Sequence, residues 1–188
     1  MDIKDILTQF NNQAVMDELS KSTGLKAKKL QEAVKLGVPT IMQALSNNAK
    51  NEKGALSLSK ALNDHKDDKV DDVVNFLKNV DTKDGSKMLG HIFGKDQKVE
   101  NNLAKQTGIE TNDISALLAR LAPLLMGMLG QQNSVKKAQT NDLSSILSGV
   151  LTGKATKSIM DSVTNMFDAD DGSVIDDLGK LASGFLKK

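Results

Sequence analysis

The sequence predicts an all-α, multihelical fold built on a duplicated helix-turn-helix unit, with an amphipathic helix at the C-terminus. Three observations carry this expectation. Apolar residues recur at helical spacing, as in the stripe Val70, Val73, Val74 and Leu77. No convincing run of alternating β-branched residues marks a strand. The chain also repeats itself: shifted by 84 residues, Gln13 to Leu45 aligns with Gln97 to Leu129.

That alignment has nine identical pairs in 33 positions, among them Leu19/Leu103, Thr23/Thr107, Gly24/Gly108, Pro39/Pro123 and Met42/Met126. Roughly two would arise by chance, and self-similarity of this kind outranks other fold signals. Both prolines of the chain fall in register.

Taken in order, "DIKDILTQF" is a short element ahead of the first copy. Val15, Leu19 and Thr23 then share a helical face, and Gly24 can adopt the left-handed conformation that ends a helix. A second helix carries Leu30, Val34 and Leu36. Pro39 lacks an N–H and crowds the carbonyl of Lys35, so it kinks that helix or opens a new one. "GALSLSKALND" and "VDDVVNFLKNV" give two more helical patterns, and "SKMLGHIFG" precedes the second copy. There Gly108 is the helix stop and Pro123 the break, inside the stretch "ISALLARLAPLLMGMLG". So apolar a helix must be buried, whereas its counterpart "LQEAVKLGVPTIMQAL" is more polar, which predicts an inner and an outer role. These readings place a duplicated helical domain at 1–132, with copies at about 1–50 and 86–132. A polar linker follows at 133–141, and a helical tail at 142–188. In the tail, Ser173 and Asp176 resemble a capping box ahead of the stripe Val174, Ile175, Leu178, Leu181, Ala182 and Phe185.

"GSKMLGHIFG", "LAKQTGI", "LARLAPLLMGMLG" and "DADDGSVIDDL" together resemble the YidB-like bacterial family, domain of unknown function 937. The resemblance covers most of residues 1–130 and the tail from about 160. It implies a multihelical fold with a homeodomain-like helix-turn-helix core, and it implies no activity. Where such relatives carry a glycine-rich connector and an Asp-Gly-Asp-Gly-Ser turn, this chain has "QQNSVKKAQTNDLSSILSGVLTG" and a turn one residue shorter.

Composition narrows the function. Aromatics are 3% of the 188 residues, with no Trp or Tyr, which disfavours a base-stacking binder of single strands. A net charge of +1 creates no global field for polyanions. There is no cysteine, hence no thiol nucleophile and no Cys-ligated zinc. The start "MDIKDILTQFNNQ" has no long apolar run of the signal-peptide kind, and the stretch Ile114–Gly130, holding Arg120 and Pro123, falls short of a membrane span. A cytoplasmic chain is expected.

The helix-turn-helix spacing is met by Ala104, Gly108, Ile109, Ile114 and Leu117, and nearly so by Ser20, Gly24, Leu25, Leu30 and Ala33. In the first copy, Lys26, Lys28, Lys29 and Lys35 are candidate phosphate contacts and Gln31 a candidate base contact. The second copy offers Glu110, Asn112 and Asp113, a poor DNA surface. Asp168, Asp170 and Asp171 are candidate metal ligands, but counted from Asp168 the glycine is fifth and the twelfth residue is Gly179, so a calcium loop fails in register. His65 and His91 lack neighbours at zinc-ligand spacing, and His91 reads as half-buried in a helix. No catalytic set accompanies either histidine, and no cofactor motif is present. The sequence therefore predicts a non-enzymatic protein-interaction or self-association module, with a protein partner or a homo-oligomer. The alternative is DNA binding through the basic helix of the first copy.

Overall fold

The computed structural model describes residues 3–95, 97–136 and 147. Among these it has eight helices and no strand: α1 (Ile3–Phe10), α2 (Gln13–Thr23), α3 (Ala27–Asn48), α4 (Glu52–Asp64), α5 (Val73–Asn79), α6 (Thr82–Ile92), α7 (Lys98–Thr107) and α8 (Thr111–Lys136). The fold class is all-α, as the spacing predicts. α8 continues to Lys136, so residues 133–136 of the linker expected at 133–141 are helical. The rest of that linker, nearly all of the tail, and Asp168, Asp170 and Asp171 lie outside the described residues.

Local chemistry sets the helix ends. The Asn12 side chain accepts from Ala14 N at 2.9 Å and opens α2, which stops at Gly24 with φ 74°. Gly108 stops α7 in the same way, at φ 62°. Thr23 and Thr107 each donate through their hydroxyl to the carbonyl four residues back, Leu19 at 2.6 Å and Leu103 at 2.7 Å. Ser20 donates to the Leu25 carbonyl at 2.6 Å, tying the end of α2 across the turn.

Neither proline opens a new helix. α3 runs through Pro39 and α8 through Pro123. The missing N–H of Pro123 leaves the Ala119 carbonyl without its helical donor. That carbonyl faces Gly85 of α6, so closely that a Cβ there would lie 1.8 Å from its oxygen. The break in one helix and the glycine in another thus form a single contact, and α6 makes its most extensive packing along α8.

α8 is the central element. Leu117, Leu118, Leu121, Ala122, Leu124 and Leu125 are fully or almost fully buried among α2, α3, α4, α5, α6 and α7. Its segment Thr111–Gln132 is, by length and composition, apolar enough to cross a membrane, which corrects the expectation that Arg120 and Pro123 make it fall short. In this fold 78% of that segment's apolar window is buried by the surrounding helices. The inner and outer division is also incomplete. Gly37 to Met42 of α3 are all buried, so α3 is enclosed at its middle and has an outer face only toward its two ends.

Two further differences are local. α5 begins at Val73, leaving Val70 in the preceding turn, where it is nevertheless 3% exposed. His91 is helical but exposed, because it sits at the mouth of a cleft and not beneath a neighbouring helix.

Candidate functional site

An apolar opening lies between the end of α3, the outer face of α4, the end of α6 and one turn of α8, with a volume of about 640 Å³. Leu45, Leu58 and Met126 form a buried floor, and the half-buried Ala61, Met88 and Ile92 form the walls. The Asn48 amide donates to the Ile92 carbonyl at 3.2 Å and holds α3 and α6 together at one end. Three residues further on, at the same end, the Asn51 side chain accepts from Gly54 N at 2.7 Å and starts α4.

The rim is polar and one-sided in charge. Lys53, Lys60 and His91 surround the opening with Asn48, Asn51 and Ser57, and no acidic side chain is among the described residues that line it. In a chain of almost balanced charge this is a local bias toward anions. Leu56, 54% exposed, is the large hydrophobic residue left open to solvent among the described residues. It falls three residues after Lys53 and four before Lys60, on the same face of α4. The walls supply apolar contact and the rim supplies orientation.

The lysines singled out in the first copy are exposed, as DNA contact requires, but the structure divides them. Lys26 precedes α3 in extended conformation and its carbonyl accepts from Leu30 N. Lys28 is open to solvent. Lys29 donates to the Gly108 carbonyl at the turn between α7 and α8, so its ammonium is engaged within the fold. Gln31 and Lys35 lie on the α1 side, lining a shallow pocket of about 420 Å³ that also contains Glu32. A reciprocal contact runs the other way. Arg120 donates to the Ala116 carbonyl at 2.8 Å and to the Ser22 carbonyl, near the end of α2, at 3.0 Å.

His65 has neighbours that its surrounding sequence only half discloses. Nδ1 lies 2.8 Å from an Asp68 carboxylate oxygen and Nε2 lies 4.0 Å from Asp84, which α6 brings in from outside the local turn. Asp68 is visible three residues on, whereas Asp84 is not. Among the described residues no group of three or more His, Cys, Asp or Glu side chains is placed to hold a metal ion.

The helical body also carries a family signature. Residues 5–132 match the family described as bacterial protein of unknown function (DUF937). The chain belongs to this family. The DUF937 match spans α1 through all but the end of α8, so it coincides with the body that carries the cleft. No curated protein and no solved structure matches the chain.

Proposed function

We propose that this DUF937 chain is a non-enzymatic, cytoplasmic interaction module whose cleft between α3, α4 and α6 receives an amphipathic helix with an acidic flank. The carrying observation is the cleft itself: an apolar floor, a rim of Lys53, Lys60 and His91 with no acid among its described lining residues, and the open Leu56 beside it. Helix-in-groove recognition needs this combination of an apolar trough and a charged border. The duplication serves architecture in this reading. It is supported by the paired approaches of Lys29 to Gly108 and of Arg120 to Ser22, each from the second helix of one copy to the turn region of the other. A Cβ at Gly37 would lie 2.9 Å from a Leu118 methyl and 3.9 Å from one of Leu121, the residue aligned with Gly37 in the repeat, so α3 and α8 approach closely there.

The test is capture from the source cell with the wild-type chain and with Leu56→Asp/Lys53→Glu/Lys60→Glu, all exposed positions. A partner retained by the first and lost by the second supports the reading. Identical capture by both, or capture by neither, rejects it.

DNA binding through Lys26, Lys28, Lys29, Gln31 and Lys35 is the second reading, favoured by the exposure of these side chains on α3 and at its N-cap. The engagement of Lys29 with Gly108 and the presence of Glu32 weaken it. If duplex DNA is not retarded at low salt, this reading is finished.

A further inference from the structure

We infer that the cleft is a docking site for the chain's own C-terminal segment, residues 173–185, which binds there in cis until a partner helix of the same chemistry displaces it. The inference rests on reading the cleft as a helix-receiving site and names its occupant.

Chemistry selects this segment. Its spacing predicts an amphipathic helix with Val174, Ile175, Leu178, Leu181, Ala182 and Phe185 on one stripe. Asp168, Asp170, Asp171, Asp176 and Asp177 crowd its beginning, the charge that a rim of Lys53, Lys60 and His91 attracts. Size agrees as well. Thirteen residues of helix span about 20 Å, and α4, which forms one long wall, is itself 13 residues long.

Chain connectivity brings the segment within reach. Met126 of α8 lines the cleft and α8 ends at Lys136, about 15 Å further along its axis. Beyond that point Leu147 is fully buried in the main core, so the chain returns to the body after α8. The 26 residue steps from Leu147 to Ser173 can extend over up to about 85 Å, more than the diameter of a domain of this size, so chain length allows the segment to reach the cleft.

The experiment is hydrogen exchange on the full-length chain, with its mass measured in solution under the same conditions. Amides of residues 176–186 are expected to exchange at least about tenfold more slowly than in an unstructured chain, in a monomer. Leu56→Asp/Lys53→Glu/Lys60→Glu should remove most of that protection while amides around Leu117 and Leu121 remain slow, which certifies the fold. Adding Asp176→Lys and Asp177→Lys to Lys53→Glu/Lys60→Glu should restore it. In a separate chain, Leu178→Asp/Leu181→Asp should speed exchange in α4 and at the end of α6. Tail amides that exchange freely in the wild type overturn the inference, as does protection indifferent to the α4 substitutions. Protection found only in a species of two chains also overturns it, since the occupant is then a second copy. If the tail does not respond but the triple variant still loses its captured partner, the inference falls and the proposed function stands. If the tail responds and partner capture is unchanged, the reverse holds.

Discussion

Gly85 leaves no space for a methyl group, because the Ala119 carbonyl oxygen would lie 1.8 Å from it and backbone on both sides must move. Gly85→Ala is therefore expected to cost about 3 kcal/mol or more in urea unfolding, at the upper end of overpacking effects. Gly24 and Gly108 are different, since no atom crowds a Cβ at the first and only the Lys29 ammonium approaches one at the second. Their requirement is positive φ, so alanine at either should cost about 1–2 kcal/mol, read as a lowered midpoint of thermal unfolding. Arg120→Met should cost about 1.5–3 kcal/mol, because it leaves the Ser22 carbonyl without its charged donor. The stops at Gly24 and Gly108 were legible in the sequence, as the left-handed conformation is a local demand. The need for Gly85 was not, since the carbonyl it meets belongs to a helix 34 residues further on and is freed by Pro123.

α6 permits a contrast within a single helix. Gly90 has no atom within 4 Å of a Cβ and is exposed, so Gly90→Ala should stabilise the protein by about 0.5–1 kcal/mol through helix propensity alone. Equal effects at positions 85 and 90 would refute the packing assigned to α6 against α8. At the start of α4, Asn51→Ala removes the acceptor for Gly54 N and should cost about 1 kcal/mol. The helical elements were read from periodicity, which reports how many sides of a helix are apolar. Periodicity did not report that both prolines would be carried inside continuous helices. It also missed that the middle of α3 would be as enclosed as α8, because Thr40 satisfies its hydroxyl on the Leu36 carbonyl at 2.7 Å and Gly37 admits Leu118.

At the scale of the whole molecule, near-balanced charge predicts weak interaction with polyanions, and the rim of the cleft predicts a selective one with an acidic amphipathic helix. Reversal of Lys53 and Lys60 should abolish partner capture and leave the unfolding midpoint within about 0.5 kcal/mol of wild type, since both are exposed. Reversal of Lys26, Lys28 and Lys35 should leave that capture unchanged; a loss would move the site to α3. Among the described residues, none of the candidate nucleic-acid, turn or kink residues drawn from sequence lines the cleft. Lys53 and Lys60 are unremarkable where they stand in the chain, His91 was read there as a half-buried helical residue, and only the packing of α4 and α6 around the end of α3 gathers the three. By itself, the sequence determined the helical class, the helix stops and the apolar faces, all of which follow from short-range sterics and burial periodicity. Tertiary structure alone decided which helix is central, which glycines are contacts, that Lys29 turns inward to Gly108, and where an apolar trough stays open. Those depend on contacts between residues far apart in the chain, and no local pattern encodes the partner that each surface meets.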